Sequence, residues 1–114
     1  MVTLAEKMVQ TPCTSVEVEA AIKVLEGRWK MIIIFHLFSA PALRFSELQR
    51  AIPGISQKML IQQLRDLEGH GIVTRKIYPE VPPKVEYALS ESGLALRPAL
   101  LALQAWGASY GTNW

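Results

Sequence analysis

The chain has 114 residues, near the commonest size for one domain, so a single hydrophobic core is expected and most self-contained multi-domain enzymes are ruled out. Half of the residues are hydrophobic and only 19% are charged, against about 25% in an average soluble domain, which predicts that some apolar surface meets a partner. The formal net charge of +2 is unevenly spread: residues 1–27 carry two basic and four acidic side chains, residues 28–84 nine basic and four acidic, and residues 85–114 one basic and two acidic. The basic excess of the middle points to a polyanion as ligand, and the uncharged run from Pro98 to Trp114 points to burial of that end.

Several classes drop out. The apolar stretch from Met31 to Leu43 is broken by His36, Ser39 and Pro41 and falls short of the about 18 residues of a membrane span, and the N-terminus lacks the apolar centre of a signal peptide. A cytoplasmic protein is expected. One cysteine and two histidines give neither an internal disulfide nor a closed zinc site. No nucleophile-base set, phosphate loop or metal-ligand spacing stands out, so no enzyme, metal or cofactor is expected; His36 reads as a hydrogen-bonded core group and His70 as solvated.

In chain order, Thr14 with Glu17 reads as a capping box opening a helix to Gly27, with Val18, Ala21, Ile22 and Leu25 at helical spacing. A second helix is expected over about Arg28 to Ser39, apolar nearly all round and therefore enclosed; its isoleucines also suit a strand, but the nearby Pro41 favours the helix. Ala42 to Arg44 is a short extended link, and a short helix from Phe45 to about Ala51 ends at the breaker Ile52-Pro53-Gly54-Ile55. Ser56 then caps a helix ending near Gly69 to Gly71, with Leu60, Leu64 and Leu67 on one side and Lys58, Gln62 and Arg65 opposite. Two helices joined by a tight glycine turn, the second with a polar basic face, form a helix-turn-helix. Ile72 to Tyr78 and Lys84 to Leu89 alternate as strands around the stiff loop Pro79-Glu80-Val81-Pro82-Pro83, which makes a wing. Ser90 caps a final helix carrying Leu94, Leu96, Leu100, Leu101, Leu103 and Trp106, with Pro98 loosening its first turns.

The run from Phe45 to Pro98, preceded by GRWKMIIIFHL (27–37), resembles the HxlR-type winged helix-turn-helix transcription regulators. The resemblance covers about residues 13–106 and rests on the Gly-basic-Trp-Lys motif (Gly27 to Lys30), the IPGIS turn (52–56) and the YPEVPPKVEY wing (78–87). It implies a mainly α fold with a small β-wing, related to MarR-type regulators and dimerising through its terminal helices. The expected division is an N-terminal arm (1–12), the winged helix-turn-helix with its dimerisation helices (13–106) and a C-terminal tail (107–114).

The implied function is a sequence-specific DNA-binding regulator, repressor or activator, acting as a homodimer on a pseudo-palindromic double-stranded operator, with half-sites about 34 to 36 Å apart or a multiple of it. Gln57, Lys58 and Met59 lie in the first turn, which reaches base edges, and Gln62 follows one turn on. Arg65, Arg44 and Ser56 suit phosphates, as do the wing residues Arg75 and Lys84. For Lys76, beside Arg75, a solubilising role weighs equally. Leu100, Leu103, Trp106 and Tyr110 are dimer-interface candidates, Trp114 adds apolar area, and Trp29 suits either interface or core.

Some members of the family use a cysteine just before the first helix to sense oxidants or electrophiles. Cys13 holds that position, preceded by Pro12 and followed by Thr14-Ser15-Val16 instead of the usual Pro-Val. A helix start favours its thiolate and Glu17 opposes it, so a sensing thiol and a small buried apolar residue both remain open. Two rival readings are a winged-helix protein-interaction module using its basic face on an acidic partner, without DNA, and a regulator whose signal is a small apolar ligand held between the dimer helices.

Overall fold

A computed structural model describes residues 15–111. The expected Thr14–Glu17 capping box, Cys13 and Trp114 therefore involve positions outside the described residues. The first described helix, α1 (Val16–Leu25), starts at Ser15, whose hydroxyl donates to Glu19 at 3.1 Å, and it ends before Gly27, which has φ 103°. No residue of α1 is buried: Val16, Val18 and Ile22 are 68%, 60% and 52% exposed. Its apolar stripe meets the core only at its C-terminal end, where Leu25 is partly buried, and the N-terminal part lies exposed.

Helix α2 (Lys30–Leu37) is the centre of the core, with Ile33, Ile34 and Leu37 buried. Enclosure on most sides outweighs the mild helix aversion of its β-branched residues. The link that follows does more than connect: Leu43–Arg44 forms strand β1, an edge of a three-stranded antiparallel sheet. Helix α3 (Phe45–Ala51) buries Leu48, and the Arg44 backbone N–H donates to the Glu47 carboxylate at 2.8 Å, tying off the start of the helix.

The turn after α3 buries Ile52 and Ile55 and places Gly54 at φ 87°, a conformation that glycine adopts without strain. A Cβ there would sit 3.9 Å from the Trp29 ring, so the indole lies against this turn, partly buried on the core. Trp29 is thus a core residue, and the Gly27–Lys30 motif and the IPGIS turn are two halves of one packing contact.

Helix α4 (Gln57–Gly69) begins as its sequence dictates, with the Ser56 hydroxyl accepting from the Met59 N–H at 3.1 Å. Leu60, Leu64 and Leu67 are no more than 1% exposed. Gly71, at φ 72°, turns the chain into β2 (Val73–Tyr78), which pairs with β3 (Lys84–Leu89) in the register Val73↔Leu89 to Tyr78↔Lys84. On its other edge β3 pairs with β1 through Leu43↔Tyr87 and Arg44↔Glu86, giving the order β1-β3-β2.

The single final helix expected after Ser90 is instead two. Helix α5 (Glu91–Leu94) is one turn, capped by the Ser90 hydroxyl, and α6 (Arg97–Tyr110) restarts with Pro98 in its first turn. A proline there forfeits no hydrogen bond, because the first N–H groups of a helix have no internal acceptor. Helix α6 runs through Tyr110, so most of the described part of the expected 107–114 tail is helical. Leu100 is 5% exposed and belongs to the core of its own subunit, which corrects its assignment to the dimer interface; its place above α2 draws it inward. Among the described residues no helix is long and apolar enough to cross a membrane.

Candidate nucleic-acid interface

The outer face of α4 is set by the same periodicity that builds the core. With about 100° of turn per residue, Lys58, Gln62 and Arg65 fall opposite Leu60, Leu64 and Leu67, and Gln57 stands at the exposed helix start. These four side chains, with Ser56, Ile61 and Asp66, line one continuous shallow concavity. Among the described residues neither Lys58 nor Arg65 is in an ion pair. The face therefore presents amide donors and acceptors near its tip and a guanidinium two turns further on, which is what base edges followed by phosphate require.

Met59 does not join them. Its side chain is half-buried against the core, and its sulfur accepts a hydrogen bond from Gln63 Nε2 at 3.2 Å. Position 59 lies only about 100° from Leu60, on the flank facing α2, so Met59 packs in part on the core and stands at the border of the exposed face where the sequence places a thymine contact. Gln63 Oε1 in turn accepts from Lys30 Nζ at 2.7 Å, and the same ammonium lies 3.4 Å from Asp66. Lys30 thus fastens α2 to the flank of α4. The sequence marks it only as part of the Gly27–Lys30 motif, because its partners lie 33 and 36 residues away.

The wing divides its cations by face, since neighbouring residues of a strand point oppositely. Arg75 faces α4: its Nε is 3.6 Å from Glu68, and it shares with Gln57, Ile61, Arg65, Val85 and Tyr87 a cleft between helix and wing. Burial pushes the Tyr87 hydroxyl above its ordinary pKa, and the Arg75 guanidinium partly offsets this. Tyr87, which the sequence shows only as an alternating strand residue, is the cross-strand partner of Arg75 and places its ring beneath this cleft.

The opposite face holds Lys76 and Lys84, whose ammonium groups lie 4.9 and 4.8 Å from the centre of the Tyr78 ring. Lys76 therefore stands beside Lys84 and is itself exposed. Arg44 joins this face from β1, opposite Glu86. The residues nominated from sequence thus fall into three groups: the α4 face, the Arg75 cleft and the outer face of the sheet. Of the interface candidates on α6, Leu103, Trp106 and Tyr110 are 52%, 54% and 61% exposed, and Trp106 packs on Tyr110 with ring centres 5.7 Å apart. Among the described residues no group of three or more His, Cys, Asp or Glu side chains is placed to hold a metal ion.

Residues 24–113 match the family model of the HxlR-like helix-turn-helix. The chain is 50% identical over 96 residues to YtcD of Bacillus subtilis (strain 168), itself an uncharacterized HTH-type transcriptional regulator, covering 84% of this chain and 75% of that one. Among solved structures, the redox regulator HypR in its reduced form superposes with a TM-score of 0.78 at 46% identity, covering 82% of this chain and 91% of HypR. The reduced form of the transcriptional regulator YodB from B. subtilis gives 0.74 at 40% identity, over 85% and 94% of the two chains. With a winged helix-turn-helix whose second helix carries a polar outer face, and with these relatives, the chain belongs to the HxlR-like helix-turn-helix family and is a helix-turn-helix transcription regulator.

Proposed function

We propose that the protein acts as a homodimer that reads a pseudo-palindromic operator with the N-terminal turns of two α4 helices. The exposed Gln57, Lys58, Gln62 and Arg65 face, free of carboxylate partners among the described residues, carries this reading. Gln57 is the base reader, since an amide bonds adenine in two places, and Arg65 is a phosphate contact. Expected results separate the two roles. Gln57→Ala costs about 1 to 3 kcal/mol on the cognate operator and little on random duplex, whereas Arg65→Gln weakens both and flattens the salt dependence by about one unit. Fluorescence anisotropy against both duplexes over a salt series measures this, and equal weakening by Gln57→Ala on the two would remove its base-reading role.

Dimerisation is supported by shape and by exposed apolar surface. The radius of gyration is 16.8 Å, against about 13 Å for a compact domain of 100 residues. The excess reflects terminal helices that stand off the body with Val16, Val18, Ile22, Leu101, Leu103 and Trp106 each more than 40% exposed. A second copy covers such faces by two-fold symmetry and sets the spacing of the two recognition helices.

The likeness to HypR, a redox regulator, supports a second element of the reading: Cys13 as the responsive thiol. In this reading, two Cys13 thiols of opposite subunits lose two electrons and two protons to an oxidant and form an intersubunit disulfide, which tilts the DNA-binding units. Treatment with diamide, a two-electron thiol oxidant, is expected to give a dimer on non-reducing gels and altered operator affinity in the wild type, with neither change in Cys13→Ser. Identical behaviour of the two proteins would rule the switch out.

A further inference from the structure

The wing carries a carboxylate where a DNA-binding surface gains most from cations. Glu86 sits in the middle strand of the sheet, with Arg44 directly opposite on β1 and Lys76 directly opposite on β2. Lys84, two residues earlier on the same strand, points to the same face, and its ammonium lies 3.3 Å from the Glu86 carboxylate. One carboxylate thus stands among three cations at the hairpin. The pair is no loose surface contact: the side chains of Lys84 and Glu86 are 28% and 20% exposed, and the Tyr78 ring, 4.8 Å from Lys84 Nζ, fixes the ammonium from another side.

We infer that Glu86 is an internal phosphate mimic which occupies Lys84 and its neighbours and so limits the wing's sequence-independent hold on DNA. The inference rests on the DNA-binding reading above. A phosphate that reaches Lys84 must displace a carboxylate already in place, so the cation contributes less than a free one would. The contrast with α4 is direct, since Lys58 and Arg65 meet no such competitor among the described residues. Phosphate contacts strengthen binding to every sequence alike, so affinity gained only there tightens the hold on random DNA without widening the margin of the operator over it. Compensating the wing while leaving the recognition face free shifts the balance toward base reading. The Lys84 ammonium, with the Tyr78 hydroxyl and the Arg44 guanidinium, holds the Glu86 carboxyl below the ordinary range against the opposing effect of its partial burial, so it is charged at neutral pH.

The test is a salt titration of the full chain on a random duplex of about 30 base pairs, between about 50 and 200 mM KCl. E86Q is expected to bind about three- to ten-fold tighter than wild type at the low-salt end, and its salt slope to steepen by up to about 0.9, the increment for one added phosphate contact. K84Q read in the same titration needs no folded E86Q: it is expected to flatten the wild-type slope by clearly less than Arg65→Gln does. Coincident or weaker binding by E86Q with an unchanged melting temperature, or a full unit of slope lost in K84Q, would overturn the role of Glu86. Absence of any salt-dependent binding by the wild type would instead overturn the DNA-binding reading itself, and the inference with it.

Discussion

Replacing Leu103 and Trp106 together by aspartate is expected to turn the proposed dimer into a monomer and to collapse operator binding to that of one half-site. Both side chains are more than half exposed on α6, so their loss leaves the subunit's own core, including the buried Leu100, in place. In a two-fold interface each substitution counts twice. With about 2 kcal/mol for each copy of one buried aromatic anchor, the loss is about 4 kcal/mol before any cost of burying carboxylates, or about a thousand-fold in the dimer dissociation constant. The consequence for DNA is larger than the contact itself, because linked recognition helices bind the second half-site at a high effective concentration that separate monomers lack. Sedimentation velocity reads the assembly, and anisotropy on operators with one and with two half-sites reads the binding. A double variant that stays dimeric at micromolar concentration would move the interface away from α6.

Gly93→Ala is expected to lower the melting temperature by about 5 to 20 °C. A Cβ at Gly93 would press into the Ile72 carbonyl and lie 3.0 and 3.2 Å from two carbons of Leu89. The obstructing oxygen is held in place: it accepts from the Ser90 N–H at 2.9 Å, and the Ser90 hydroxyl, 3.0 Å away, donates chiefly to the adjoining Gly71 carbonyl while capping α5 by accepting from Gly93 itself at 3.1 Å. Alanine is the better helix former by about 1 kcal/mol in a helix interior, but α5 is a single turn and the clash is with backbone, so overpacking of about 1 to 3 kcal/mol or more decides the sign. At about 4 to 8 °C per kcal/mol for a domain of this size, the shift is easily read by circular dichroism. An unchanged or raised melting temperature would show that the junction yields. Because α5 joins the wing to α6, the same substitution also disturbs the relation between these two elements.

The two variants address parts of the molecule that differ in how plainly the sequence announces them. Apolar residues on a helix with no charge after Arg97 can be read from the sequence alone, and the structure adds only which of them point outward. The constraint at Gly93 is invisible in sequence, where Ser90-Glu91-Ser92-Gly93 reads as a capped helix start and the glycine as a mild defect. What makes it necessary is a carbonyl 21 positions earlier in the chain, brought there by the turn from α4 into the wing.

Features governed by interactions within a few residues are legible in the sequence. These are the Ser56 cap, the Leu60, Leu64 and Leu67 stripe, the glycine turn at Gly54 and the alternation of both wing strands, because helix and strand periods and turn geometry are local properties. From them follow the helix-turn-helix, the wing and the polar face of α4. Only the tertiary structure decides what depends on pairing across long separations: β1 as a sheet edge, Met59 and Leu100 as packing residues, Trp29 against the IPGIS turn, and Lys30 clamped to α4. It also decides which cations are free. Nine basic side chains between residues 28 and 84 look equivalent as charge, yet sheet register sets Arg44 and Lys76 across from Glu86, which pairs with Lys84 along its own strand, and helix-to-wing packing gives Arg75 the carboxylate of Glu68. Charge along a chain is additive, but the field that DNA meets depends on which opposite charges the fold sets within hydrogen-bonding reach.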